Sequence, residues 1–218
     1  MSTEIASLSA IDARVLGCLI EKQAATPDQY PLTVNSLVLA CNQKTSREPI
    51  MNLEPGAVLH CLRDLEHREL VARAFGGRVE RFEHRFDKAY KVTLRQQALL
   101  ALLMLRGPQT LNELFTRSDR LSDFAGPEDV RHTLDRLAEH EPSLVQNIGR
   151  GNGQREDRYA HLLSGSVDVL SAPSDPDQEF VGANSGGGTS LRDEVAALKE
   201  RVATLEAALA DIKSSLGI

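Results

Sequence analysis

The sequence predicts an α+β fold, mainly α, built from one unit used twice and followed by a separate helix. Three observations predict it. Pro55, Val58, His60, Leu62 and Leu65 return 72 positions later as Pro127, Val130, His132, Leu134 and Leu137. Each run reaches a Leu-Val pair, Leu70-Val71 and Leu144-Val145, and continues into a Gly- and Arg-rich stretch closed by a similar tetrad, Glu83-His84-Arg85-Phe86 and Glu156-Asp157-Arg158-Tyr159. A helix that runs into a Gly-tipped hairpin, repeated, points to two tandem winged-helix domains. The third observation is an apolar stripe near the C-terminus with coiled-coil spacing. The boundaries that follow are 5–90 and 91–163 for the two winged-helix domains, 164–190 for a flexible linker and 191–217 for a coiled-coil helix.

Each element has a local reason. Leu8, Ile11, Val15, Leu16, Leu19 and Ile20 share one helical face, with Ser9 as N-cap. Pro27 and Pro31 break that helix, and residues 30–33 suit a short extended segment. A second helix follows, capped by Thr33, with Val34, Leu37, Val38 and Cys41 inward. Pro55 fits the first turn of a third helix, where its missing N–H costs nothing. Val58, Cys61, Leu62 and Leu65 face inward there, and His60, Arg63, Asp64 and His67 face outward. Residues 71–75 and 82–86 then read as strands joined at Gly76-Gly77.

The second copy starts at Leu94. Leu99, Leu100, Leu102, Leu103 and Leu105 make a helix apolar on more than one face, so it is expected between the repeats or against a partner. Gly107-Pro108 stops it, and Thr110-Leu111-Asn112-Glu113 is a capping box for the next helix. Residues 127–139 form the matching third helix and 145–159 the matching hairpin, tipped by Gly149-Arg150-Gly151-Asn152-Gly153. The copies differ in one place: a polar segment, 42–49, lengthens the first connection between helices two and three.

Residues 164–190 are rich in Ser, Gly, Asp and Pro, the composition of a flexible linker. Beyond it Leu191, Val195, Leu198, Val202, Leu205, Leu209, Ile212 and Leu216 alternate in steps of four and three. Val195, Val202, Leu209 and Leu216 take the a positions, and Leu191, Leu198, Leu205 and Ile212 the d positions. Val at a with mostly Leu at d favours a parallel homodimer. Glu194 then meets Lys199 of the partner and Arg201 meets Glu206, pairs that set orientation more than stability. The competing reading is an amphipathic helix folded back on its own body; the narrow a/d stripe favours the dimer.

Composition bounds the function. The net charge is −6, and nine acids against four bases from Ser166 onward carry most of it. The repeats are near neutral, so nucleic-acid binding rests on local patches. Aromatic residues are 4% and Trp is absent, so the cores must be aliphatic. Cys18, Cys41 and Cys61 are widely spaced with no Cys-x-x-Cys pair, which reads as small core residues in a reducing compartment. No metal site is expected, because no His or Cys partners stand at ligand spacing. The longest apolar run, 98–105, is far below the ~20 residues needed to span a bilayer. With a polar N-terminus, this points to a cytoplasmic protein without membrane contact. His-Glu-x-x-His, Gly-x-Ser-x-Gly and a phosphate loop are all absent, so neither an enzyme nor a cofactor is expected.

The candidate contacts are those a helix-turn-helix would present to the major groove, plus the hairpin arginines. In the first copy they are His60, Arg63 and His67, with Arg73, Arg78 and Arg81. In the second they are Arg131, His132 and Arg136, with Arg150 and Arg155 at the tip. The hairpins are mildly basic: 71–86 holds four Arg against two Glu, and 144–159 three Arg against Glu156 and Asp157. The third helices are not, since Arg63 and Arg68 sit beside Glu54, Asp64, Glu66 and Glu69. A plain solvated face with i,i+4 pairs explains them equally well. In the polar segment, Asn42, Gln43, Lys44 and Arg47 offer donors to a phosphate or a protein carboxylate.

Through Ala40-Cys41-Asn42-Gln43-Lys44-Thr45-Ser46-Arg47-Glu48-Pro49-Ile50-Met51-Asn52-Leu53, and on through Glu83-His84-Arg85-Phe86 and the second Arg-Gly-rich hairpin, the chain resembles the YceH-like family of bacterial proteins of unknown function. The resemblance covers roughly 5–165. It implies tandem winged helices and, as in some members, a heptad tail; it implies no activity for named residues. The expected function is therefore binding of nucleic acid, duplex DNA, in a regulatory or chromosome-associated role. The alternative is a winged-helix scaffold whose partner is another protein, without DNA binding.

Overall fold

The computed structural model describes residues 7–74, 79–150 and 155–165, all within one compact unit. Residues 166–218, with the heptad stripe and most of the expected linker, lie outside the described residues, as do Arg78 and the two hairpin tips. The described chain is mixed α/β, with seven α-helices and two small antiparallel sheets.

The first half runs α1 (Ala10–Ala25), a 3₁₀ turn (Pro27–Gln29), β1 (Leu32–Thr33), α2 (Val34–Cys41), α3 (Pro55–His67), β2 (Val71–Ala74) and β3 (Arg81–His84). The caps are those the sequence dictates. Ser9 Oγ accepts the Asp12 amide while the Asp12 carboxylate accepts the Ser9 amide, so two otherwise unpaired donors of α1 are satisfied. Thr33 caps α2 through the Ser36 amide. Then α4 (Phe86–Tyr90) follows directly, an element the sequence reading extended as strand. Phe86 is completely buried against Tyr90, with ring centroids 4.4 Å apart, so burial rather than strand pairing decides its conformation.

The second half repeats the order: α5 (Leu94–Arg106), β4 (Gln109–Thr110), α6 (Leu111–Ser118), α7 (Pro127–Ala138), β5 (Val145–Gly149) and β6 (Arg158–His161). Thr110 and Glu113 form the expected capping box. Gly107 ends α5 at φ +73°, a left-handed-side conformation that favours glycine. The strand orders match, β1-β3-β2 and β4-β6-β5. In both, the two residues before the second helix add a third strand to the hairpin.

Strand register corrects the tetrad alignment read from the sequence. Thr33 pairs with Arg81 and Thr110 with Arg158; Val71 pairs with His84 and Val145 with His161. Arg81, Phe82 and His84 therefore correspond to Arg158, Tyr159 and His161. The tetrads share an acid, a base and an aromatic ring, yet they stand at different heights on their strands. The shared chemistry confirms the corrected register: Arg81 donates to Pro31 O at 2.8 Å and Arg158 to Pro108 O at 2.9 Å.

One aliphatic core runs through both halves. Residues 97–105 of α5 are all buried, as the Leu-rich pattern requires. Helix α1 is the main neighbour of α5. At their crossing Gly17 allows close approach: a Cβ there would stand 2.9 Å from Leu105 Cγ. The three cysteines are free and buried, as expected of small core residues.

Candidate nucleic-acid interface

The second half gathers three of the sequence-selected arginines around one cleft. Arg131 comes from α7, while Arg150 and Arg155 come from the β5–β6 hairpin. The cleft measures about 460 Å³ and also holds Asn112 and Pro127 from the first turns of α6 and α7. Two helix N-termini thus face the same space, and their partial positive charge adds to that of the arginines. Three acids oppose them. Arg150 Nε lies 2.9 Å from Asp157 Oδ1, Arg131 Nε lies 3.3 Å from Glu128 Oε2, and Asn112 Nδ2 donates to Glu156 Oε1 at 3.0 Å. Arg150's hydrogen bond holds the Asp157 carboxyl below its ordinary pKa, and Asn147 adds to it. Both arginine side chains are about half exposed or more, 49% and 65%. Ion pairs so exposed stabilise by only ~0–1 kcal/mol, so these arginines can turn to an incoming phosphate at little cost.

The other α7 candidates face elsewhere. His132 and Arg136 line a second groove with Arg95 and Gln96 at the start of α5. Arg95 closes that groove, donating to both Asp129 carboxylate oxygens at 3.0 and 2.9 Å and lying over the Phe124 ring.

In the first half the candidates are exposed on α3 but their hairpin is tied down. His60, Arg63 and His67 face solvent, and His60 stands 3.8 Å from Asp64. Arg73 donates to Glu66 at 2.9 and 3.0 Å and to Glu80 at 3.0 Å. Arg81 is held by Pro31 O as described.

The polar segment 42–49 is a structural brace. Arg47, expected to offer donors to a phosphate or a protein carboxylate, has a fully buried side chain. It donates to Ala40 O at 3.0 Å, to Ser46 O at 2.8 Å and, through both terminal nitrogens, to the Glu21 carboxylate at 3.1 and 2.5 Å. Burial opposes its charge, but the Glu21 hydrogen bonds raise its pKa on balance. Asn42 exchanges two hydrogen bonds with the Leu53 backbone, at 2.9 and 2.7 Å. The segment reaches the second half through the Glu48 amide, which donates to Leu105 O at 2.7 Å, and through Ser46 Oγ, which accepts from Arg106. Of the four named residues only Gln43 and Lys44 keep side chains outside this framework.

Residues 8–154 match the family model described as "Protein of unknown function, DUF480". The chain belongs to the DUF480 family. It is 52% identical to a UPF0502 protein of Xanthomonas oryzae pv. oryzae over 96% of its own length and 90% of that protein. It is 49% identical to a UPF0502 protein of Stenotrophomonas maltophilia, over 98% of this chain and 94% of the relative. A UPF0502 protein of Mesorhizobium japonicum is 49% identical over 94% of this chain and 99% of its own. The resemblance carried by residues 40–53 is thereby established. These are uncharacterised bacterial proteins, so the DUF480 family transfers no role to any residue of the cleft.

Sequence reasoning missed one deeply buried charge. Arg14 is 1% exposed and donates to Cys41 O at 2.9 Å and Pro49 O at 2.6 Å. Its signal was present: a lone Arg one turn from Ile11 and Cys18, inside an otherwise apolar stripe. Glu21 was overlooked because its partner is 26 residues away. Among the described residues no three His, Cys, Asp or Glu side chains are placed to hold a metal ion, and no helix is long and apolar enough to cross a membrane.

Proposed function

We propose that the protein is a tandem winged-helix, duplex-DNA-binding protein of the bacterial cytoplasm, dimerised through its C-terminal heptads and acting in regulation or chromosome organisation. The observation that carries this reading is the second-half cleft, where Arg131, Arg150 and Arg155 stand beside two helix N-termini. That combination suits a phosphate backbone. The repeated helix–helix–hairpin order supports this reading, in which α3 and α7 would serve as the recognition helices. The heptad stripe supports the dimer, which would present four hairpins to a two-fold related site. A labelled mixed-sequence duplex, followed by fluorescence anisotropy at low and physiological salt, tests the reading. Binding that weakens steeply with salt is expected, because phosphate contacts release counterions. Flat salt dependence overturns it.

A second reading, a scaffold that docks another protein, is favoured by one specific observation. Arg73, Arg95, Arg131 and Arg150 each already carry a carboxylate partner within this chain. Absence of duplex binding at low salt, with capture of a protein partner through the same cleft, would establish it.

A further inference from the structure

A third cavity, of about 380 Å³, lies where α1, residues 48–51, the end of α5 and residues 160–165 meet. We propose that it binds a small monocarboxylate with an apolar body. The proposal is independent of DNA binding.

A buried cation is ordinarily paired, because desolvating an unpaired charge is expensive. This molecule shows the ordinary solution at Arg47, which holds the Glu21 carboxylate. Arg14 is as deeply buried, yet among the described residues it has no carboxylate partner. Two neutral carbonyls take its terminal nitrogens, and its Nε is buried without a hydrogen-bond partner. Burial depresses its pKa, and the nearby Arg47 charge pushes the same way, so an anion here would relieve both.

His161 lines the same cavity, and its Nδ1 is also buried and unpartnered. Of the three buried side-chain polar atoms without partners among the described residues, two therefore belong to residues of this one wall. Burial lowers the His161 pKa to about 4, so its ring is neutral at pH 7 and serves as a hydrogen-bond partner, leaving Arg14 as the cation.

The remaining walls set the ligand class. Leu8, Leu103, Met51 and Met104 are apolar, and the volume falls at the small end of the ~300–1,000 Å³ usual for ligand pockets. Glu48 is exposed and also lines the cavity. Its charge repels a dianion and tolerates a single carboxylate better. A compact acid with an aliphatic tail matches this set: carboxylate to Arg14, tail against leucine and methionine.

The chain supplies its own reporters. It contains three methionines, Met1, Met51 and Met104, and two of them line the cavity. Methyl-¹³C-methionine spectra of the full chain are titrated with hexanoate, 1-hexanol and hexylammonium at neutral pH. Saturating shifts at Met51 and Met104, not Met1, are expected with hexanoate at millimolar concentration (about −4 kcal/mol of binding). They should be at least severalfold weaker with the alcohol and absent with the amine. Arg14 variants risk unfolding, so two milder changes carry the charge test. Glu48→Gln should tighten hexanoate severalfold and leave hexanol unchanged; Met51→Glu should weaken hexanoate about tenfold or more. No shift with hexanoate, equal shifts with acid and alcohol, or folded variants that bind hexanoate as the wild type does would each overturn the proposal.

Discussion

Replacing Arg47 tests whether the polar segment is a brace or a ligand-binding loop. Arg47→Met keeps the apolar stem and removes the guanidinium. The change breaks a bidentate ion pair with Glu21 and two bonds to carbonyls. Removing one partner of a buried pair costs about 3–5 kcal/mol. Here the stranded Glu21 side chain is 18% exposed and retains Lys22 at 3.7 Å, which reduces the penalty. We expect a loss of about 3 kcal/mol, which lowers Tm by about 6–12 °C for a chain of this size. Arg47→Lys should recover less than half, because an ammonium cannot reproduce the planar fork. Urea denaturation at pH 7, followed by far-UV circular dichroism, measures both. The double variant Glu21→Gln plus Arg47→Met should lose less than the sum of the single losses. A loss below about 1 kcal/mol for Arg47→Met would refute the brace, since only exposed pairs are worth so little.

Acid should destabilise the fold through two equivalent histidines. Burial lowers His84 and His161 to about 4 from the ordinary 6.5. The unfolded chain therefore binds protons that the folded chain refuses, and stability falls as pH drops from 6.5 towards 4. The slope reaches at most about 1.4 kcal/mol per pH unit for each ring, and urea midpoints at pH 7 and pH 5 read it; equal stability at both would contradict the assignment. Gly17→Ala should gain up to ~1 kcal/mol of helix propensity but lose more by overpacking against Leu105, for a net loss of about 1–2 kcal/mol. A stabilised variant would mean that α1 and α5 separate freely. A chain ending at Ser185 should scatter light as a monomer while the full chain scatters as a dimer; an unchanged mass per particle would exclude the heptad stripe as the dimer contact.

The helices were legible because their signals are local. Ser9, Thr33, Thr110, Pro55 and Pro127 mark starts that depend on three or four neighbouring residues, and the structure places each start within a residue of them. The burial of α5 was legible because an all-round leucine pattern admits no exposed face. Strand register was not, since Arg81 and Arg158 correspond only through pairing with residues 48 positions earlier in each half. The site was legible in residue type but not in grouping. Arg131, Arg150 and Arg155 share a cleft, while His132, next to Arg131 in sequence, belongs to another groove because consecutive helical positions turn to different faces. Arg47 carries the same local features as a phosphate-binding arginine. Its partner Glu21, on α1 and 26 residues away, distinguishes the two uses.

The most direct test of DNA binding is the salt slope of duplex affinity, compared between the wild type and the variant Arg131→Gln, Arg150→Gln, Arg155→Gln. Each phosphate contact contributes about 0.9 to the slope of log K against log salt. Exposed glutamines at these positions leave stability unchanged within about 0.5 kcal/mol, so the variant remains folded. Steep salt dependence is expected in the wild type and a slope shallower by about 2–3 in the variant, with weaker affinity at every salt concentration. Equal slopes in the two proteins, or no binding by the wild type at low salt, would contradict this expectation.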